Sequence, residues 1–345
     1  MFSEVQKELI KAKTAFVPRK TKADLALWIA EYLGLEFPDV IVDPESTTTP
    51  MEYIWTVYNK ALNNIEPEKS RILAYASRDS FKTLGTAVIE FLMIVHLNRD
   101  VGHMAAIEKQ ARQATGYVEK FFNRPYFRPY VVGSNQRSKE FVRYEHRDTG
   151  DSIPQKQWEA LTPTEQARYV RYGAKLDIVI CTMAGANGLH VPFFVVDEVD
   201  LASPDAYEEA KMIPTSDENR AAITTLTSTR KFAFGLVQDE IDKAPKTGLK
   251  ILHWNILDIA KQCPATRHRP DLPRVPVYVD KEALRVYKQD EYLQMAPDQQ
   301  DKCTPSEAFN GCMTNCSIYA QCGGRLATVQ QKPKFPQATN LQKPI

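Results

Sequence analysis

From Ser70 onward the chain alternates short, almost wholly apolar runs with longer amphipathic stretches, and no other feature limits the available folds so sharply. Apolar runs of about five residues are too short for helices and suit strands buried on both faces, which need a sheet covered by helices on either side. The expected strands are 72–76, 175–182, 193–197, 223–227 and 249–253, and the expected helices are 84–96, 104–123, 205–212 and 231–244. Between Val131 and Gly173 the pattern is less regular, with a strand-like stretch at 141–146, a turn at 148–151 and a capped helix near 162–172. The fold class this implies is α/β, a mostly parallel sheet with flanking helices.

Ahead of that region the sequence reads as helical. Thr21 with Asp24 forms a capping-box pattern, and Leu25, Trp28, Ile29, Tyr32 and Leu33 follow at helical spacing. A second helix start has Thr49 at the N-cap, Pro50 at the first helical position and Glu52 at the third. Residues 1–60 are expected as an N-terminal helical segment, 61–258 as the α/β core, 259–329 as a small Cys-rich subdomain, and 330–345, rich in Pro and Gln, as a flexible tail. A net charge of +1 excludes bulk attraction to a polyanion, so any nucleic-acid contact comes from local patches, with 19–22, 137–139 and 267–269 as basic candidates. No apolar run approaches the roughly 20 residues that span a bilayer. The N-terminus is amphipathic and carries acidic residues, unlike a signal peptide, so a membrane-free cytoplasmic location is expected.

Three clusters carry chemistry. The first, Ala76-Ser77-Arg78-Asp79-Ser80-Phe81-Lys82-Thr83, follows an expected strand and opens an expected helix. Such a junction presents free backbone N–H groups and a positive dipole end, which suits phosphate. Lys82 can then reach the β- and γ-phosphates of a nucleotide and the Thr83 hydroxyl can ligate Mg²⁺. The alternative is a helix start with a solvated lysine. Phe81 and Ala76 stand where the motif G-x-x-x-x-G-K-[ST] has glycines.

The second cluster is Phe193-Phe194-Val195-Val196-Asp197-Glu198, a buried strand from whose C-terminal end two acids emerge, where open α/β sheets place ligands. Asp197 suits Mg²⁺ held through water, and Glu198 suits orienting and deprotonating an attacking water; an ordinary acidic strand-end loop is the other reading. The third, Thr227-Ser228-Thr229, brings hydroxyls to the end of an apolar strand, either to sense a γ-phosphate or to cap the next helix. A lysine loop, then an acidic strand, then a hydroxyl-bearing strand suits one sheet whose strand ends converge on a nucleotide.

Over roughly residues 70–326 the chain resembles the ATPase half of the large subunit of tailed-bacteriophage DNA-packaging terminases. Family phosphate loops often carry an early arginine, as in Ser77-Arg78, followed by Lys-Thr or Lys-Ser. The stretch from His103 to Ala111 is similar to the helix after the second strand of these motors, and Gly185 to Gly188 to a further family loop. Thr227-Ser228-Thr229 matches the coupling motif that links hydrolysis to DNA movement. The resemblance implies a P-loop NTPase fold of the ASCE type, with ATP and Mg²⁺ as cofactors. Ser77, Arg78, Asp79, Ser80, Phe81, Lys82 and Thr83 would bind ATP, with Lys82, Arg78 and Glu198 catalytic and Thr83 and Asp197 on the metal. The implied partners are double-stranded DNA, a portal protein, a small terminase subunit and identical subunits in a ring on the procapsid, in the host cell cytoplasm.

Three departures qualify this. Phe81 replaces a glycine. Asn187 stands where some members carry an arginine thought to act on the neighbouring subunit's ATP, with Arg168 and Arg171 as substitutes. The nuclease domain of RNase H-like fold that normally follows is absent, so this chain alone is expected not to cut DNA. The competing readings are a helicase-like translocase and a non-catalytic, zinc-stapled assembly protein with a degenerate phosphate loop.

Of six cysteines, Cys181 lies in an apolar run and is expected in the core, while Cys263, Cys303, Cys312, Cys316 and Cys322 fall in the last quarter of the chain. Cys312, Cys316 and Cys322, with Cys263 or Cys303, supply four thiolates for tetrahedral Zn²⁺ or an iron–sulfur cluster. Cys263 is the preferred fourth ligand because Cys263-Pro264 resembles a metal-knuckle turn. Protein purified without chelator is expected to carry zinc or iron by elemental analysis; finding neither metal removes this reading.

Overall fold

The helix that follows the lysine loop, Lys82–Val95, is buried along its whole length save for the half-buried Thr83. A helix that is apolar on every side belongs inside a protein, and the rest of the fold supplies both covers. In the computed structural model, residues 11–64, 70–106, 108–135, 137–181, 189–216, 220–230, 232, 234–260, 274–280, 285–309 and 322 are described.

One cover is the central sheet. Its strands are β1 (Arg71–Ala76), β2 (Val101–Ala105), β3 (Val131–Ser134), β4 (Ser138–His146), β5 (Ser152–Pro154), β6 (Tyr169–Ile180), β7 (Phe193–Asp197), β8 (Ile223–Ser228) and β9 (Lys250–Trp254). They run in the order β3-β4-β6-β2-β7-β8-β1-β9, with β5 paired to β4. From β6 to β9 every pairing is parallel, and β3, β4 and β5 extend the sheet as an antiparallel wing. β8 lies between β1 and β7, so the strand before the lysine loop and the acidic strand are not direct neighbours. Ile72, Ala74 and Ala76 of β1, Val195 of β7 and Leu252 and Trp254 of β9 share one core with the buried helix. Leu73, Met104, Phe194, Val196 and Leu226 form a second core on the opposite face with Tyr207 and Val237.

The other cover comes from the N-terminal helices. Thr21 caps Lys22–Trp28 by accepting the Asp24 N–H, and Thr49 caps Pro50–Leu62 by accepting the Glu52 N–H. Leu25, Trp28, Ile29, Tyr32 and Leu33 are all buried in the same core as the Lys82–Val95 helix. Trp28 packs on Phe91 with ring centroids 6.5 Å apart, and Tyr53 shares a hydrogen bond of 3.0 Å with Thr86. The loop before Pro50 is tied down by Asp258, fully buried, whose carboxylate accepts the Val42 N–H at 2.7 Å, the Asp43 N–H at 3.1 Å and the Ser46 hydroxyl.

Several sequence expectations shift. Residues 101–105 form a strand, so the helix expected from 104 begins at Glu108; the run Val101-Gly102-His103-Met104-Ala105 is short and mixed, and burial on both faces, not local pattern, makes it extended. The capped helix near 162–172 is one turn, Pro163–Gln166, because the chain turns at once into the long strand β6. The helix expected from 231 starts at Leu236. Further along, β10 (Arg274–Asp280), β11 (Arg285–Lys288) and β12 (Cys303–Phe309) make a separate antiparallel sheet in the order β11-β10-β12.

His96, just past the buried helix, ties that helix to the N-terminal cover. Its Nδ1 lies 3.0 Å from the Tyr58 hydroxyl and its Nε2 lies 3.2 Å from the Ala15 carbonyl oxygen. Burial pushes its pKa down to about 3, with Arg19 and Arg143 acting in the same direction against the bond to Ala15. The unfolded chain therefore takes up a proton first, so the stability from neutral His96 is complete above the ordinary histidine range and is lost as pH falls below it. Urea unfolding is expected to lose about 1.4 kcal/mol per pH unit below about pH 6.5 on this account. His96→Gln should flatten that slope.

Candidate active site

Residues 77–81 connect the end of β1 to the start of the buried helix, and two of them hold left-handed backbone: Asp79 at φ 56° and Phe81 at φ 69°. Such φ values are costly for residues with a Cβ and persist where the surroundings over-determine them. Here the surroundings do so. The Phe81 ring is buried edge-on against Phe37, with centroids 5.6 Å apart. Trp254 Nε1 donates to the Ser80 carbonyl at 2.6 Å while its ring stacks on Tyr53, and the Ser80 hydroxyl donates to the Ser77 carbonyl. The position demands the conformation a glycine gives freely, and phenylalanine adopts it because its ring is anchored.

The helix begins at Lys82 with no side chain capping it, so its first-turn N–H groups face the loop. The Lys82 ammonium is buried and donates to the carbonyls of Ala76 and Ser77, each at 2.8 Å, and to Thr229 Oγ1 at 3.0 Å. Sequence alone left open a solvated lysine; this one is held inside, between the lysine loop and the end of β8.

The acidic strand ends beside it. The Asp197 carboxylate is 3% exposed, and its Oδ1 accepts the Thr227 hydroxyl and, at 3.0 Å, the Glu198 N–H. Glu198 itself is left-handed, at φ 54°. The Ser228 hydroxyl accepts the Asp200 N–H at 3.3 Å. Arg78, Asp79, Ser80, Phe81, Lys82 and Thr83 line an open cavity of ≈ 460 Å³ together with Glu198, Thr229, Leu84, Gln113 and Tyr117. Thus all three clusters meet at the C-terminal end of the parallel strands, with Asp197, Thr227 and Ser228 in the wall behind. The donors near Lys82, a threonine hydroxyl at Thr83 and a carboxylate at Asp197, are hard oxygens that fit Mg²⁺.

Behind the cavity, under the helix, lies a polar pair that the sequence pattern did not single out. Glu90 Oε1 and His103 Nδ1 are 2.6 Å apart and both residues are fully enclosed, while Glu90 Oε2 and His103 Nε2 have no hydrogen-bond partner among the described residues. Burial by itself lowers the His103 pKa; the Glu90 charge and hydrogen bond, with Asp197 beyond, outweigh it and leave the value raised.

Gln113 and Tyr117 were also missed. They are one helical turn apart in Glu108–Phe122, and in sequence that spacing on a polar face reads as a solvated surface. Gly185 to Gly188, Asn187, Cys263, Cys312 and Cys316 lie outside the described residues. Cys181 is half-buried at the end of β6. Cys303 is on β12 and Cys322 is buried against Val42, Leu257 and Ala260; among the described residues no group of three or more His, Cys, Asp or Glu side chains could hold a metal. No helix among them is long and apolar enough to cross a membrane. Arg168 and Arg171 lie at the start of β6 on the wing, outside the cavity lining.

No protein-family model matches the chain, and no curated protein matches it. Among solved structures it is similar to the large terminase of bacteriophage HK97, at 15% identity and TM-score 0.44, over 69% of this chain and 44% of that one. It is similar also to the large terminase of a thermophilic bacteriophage in complex with ATP-γ-S, at 14% identity and TM-score 0.41, over 72% and 57%. A third is the large terminase ATPase domain of Thermus phage P74-26, at 15% identity and TM-score 0.36, over 56% and 78%. The chain spans about half the length of the first two. At such identities no residue role is carried across.

The strained residue gives a direct test. Phe81→Ala and Phe81→Gly both delete the buried ring, but alanine retains the left-handed cost, so the glycine variant is expected to be more stable by about 1 kcal/mol. Urea midpoints in the reverse order would show that Phe81 is not left-handed in solution.

Proposed function

We propose that this chain is an ATP-hydrolysing motor of the P-loop class that moves double-stranded DNA, as the resemblance to terminase large subunits suggests. The observation that carries the reading is the convergence of Lys82, Thr83, Glu198 and Thr229 on one open cavity at the strand ends.

In this reading the first-turn N–H groups and Lys82 bind the β- and γ-phosphates, and Arg78 on the cavity rim takes γ-phosphate charge. Thr83 and Asp197 would hold Mg²⁺, which would supply positive charge against that developing on the phosphate oxygens. Glu198 faces the cavity and orients a water for in-line attack, accepting its proton. Asp197 is held by the Thr227 hydroxyl and the Glu198 N–H, so its orientation is set by two elements at once. Thr229, bonded to Lys82, senses whether a phosphate has replaced it. Ser77, Asp79, Ser80 and Phe81 shape the loop, and Thr227 and Ser228 pass its state to the neighbouring turn. Portal, small-subunit and ring contacts belong to the same proposal.

Steady-state ATP hydrolysis tests it, with and without duplex DNA, in wild type, Lys82→Ala and Glu198→Gln. Turnover is expected to fall at least a hundredfold in both variants, with ATP affinity lost in Lys82→Ala and kept in Glu198→Gln. No turnover and no ATP binding by wild type would overturn the motor in favour of a structural role. Unwinding of a forked duplex would favour the helicase-like alternative.

A further inference from the structure

Just downstream of Thr229 the chain carries three side chains that the nucleotide site does not use. Arg230 is exposed, Phe232 is 53% exposed and Phe234 is 96% exposed. Burying a phenyl ring is worth roughly 2–3 kcal/mol, so two rings held in water this close together mark a surface made for a partner. Described residues on either side of these three are tied to one turn. On the near side the Ser228 hydroxyl accepts the Asp200 N–H at 3.3 Å, and on the far side Asp200 Oδ1 accepts the Val237 N–H at 2.9 Å. A Cβ on Gly235 would lie 2.6 Å from that same Asp200 oxygen, so only glycine passes there. The backbone N–H and the carboxylate of Asp200 therefore tie Ser228 and Val237 to the turn that follows Glu198.

We infer that Arg230, Phe232 and Phe234 form a nucleic-acid contact whose position is set by the nucleotide through the Lys82–Thr229 bond. The chemistry of the surface selects the partner. A guanidinium suits phosphate, and exposed rings suit sugars and base faces, whereas the apolar face of a second copy would leave Arg230 unmatched. Two of the other basic stretches have cations already engaged within the fold: Lys22 pairs with Asp39 and Glu52, and Lys139 reaches Ser134 and Glu119. Lys82 donates to the carbonyls of Ala76 and Ser77 within the lysine loop and, across to the end of β8, to Thr229 Oγ1. A phosphate bound at the loop draws on the same ammonium, and Thr229 stands at the root of the segment that carries Arg230, Phe232 and Phe234. The inference rests on the ATPase reading for its gate and on its own surface chemistry for its ligand.

The test is fluorescence anisotropy of a labelled duplex and of the matching single strand with the full chain, with and without a non-hydrolysable ATP analogue. Phe232→Ala combined with Phe234→Ala is expected to weaken binding about tenfold. Arg230→Ala should lower the slope of log affinity against log salt by about one. DNA-free ATP turnover should stay within about twofold in all of these, because the rings are outside the cavity. Loss on the duplex or on the single strand supports the contact and identifies which polymer it takes. Thr229→Val should erase the change of DNA affinity on adding the analogue; a change that persists overturns the gate. Unchanged affinity for both polymers, or a loss that tracks an altered oligomeric mass by light scattering, overturns the contact. Wild type that hydrolyses ATP yet binds neither polymer also overturns it while leaving the ATPase reading in place. Wild type that binds DNA through these residues but never binds ATP sinks the motor and keeps the contact.

Discussion

The structure depends on one helix that has no polar face. Lys82–Val95 must be enclosed on every side, so the central sheet covers one flank and the N-terminal helices cover the other. The consequence reaches the active site, because the first residue of that helix is the lysine. Anything that fixes the helix in the core fixes the Lys82 ammonium at the strand ends. It also explains why residues 22–62 share one core with the sheet: without them Phe91, Leu92 and Val95 would face water.

The loop in front of the helix illustrates how a departure from a motif can be accommodated. A glycine at 81 would reach φ 69° without strain, and phenylalanine reaches it by burying its ring against Phe37. Trp254 adds a second hold from β9 through the Ser80 carbonyl. The loop is thus rigidified from outside, by residues nearly fifty positions upstream and far downstream. A preformed loop loses less conformational entropy when it closes on a ligand than a flexible one.

A buried carboxylate is costly unless it is matched, and the structure answers that cost differently in two places. Glu90, the one acid in the apolar helix, finds His103 on β2, and the pair stands under the wall that carries Asp197. Asp200 meets the Val237 N–H instead, which ties the turn after Glu198 to the next helix. The first couples helix to sheet; the second couples the turn after Glu198 to the helix that begins at Leu236.

Local sequence determined β1 and β7, because four or more apolar residues in a row leave a chain few options but a buried strand, and it marked β8 by its run of β-branched residues. It likewise determined the two capped N-terminal helices, since Thr21 and Thr49 satisfy backbone donors within three residues of themselves. It could name Lys82, Asp197, Glu198 and Thr229 as candidates because each follows such a strand. It misread Val101–Ala105, whose extended form is imposed by β6 and β7 on either side. Only the tertiary structure decided that Lys82 is held by Thr229, that Gln113 and Tyr117 line the cavity, and that Glu90 meets His103. Those contacts join residues distant in sequence across different elements, and their geometry exists only once the sheet order β2-β7-β8-β1 has been set.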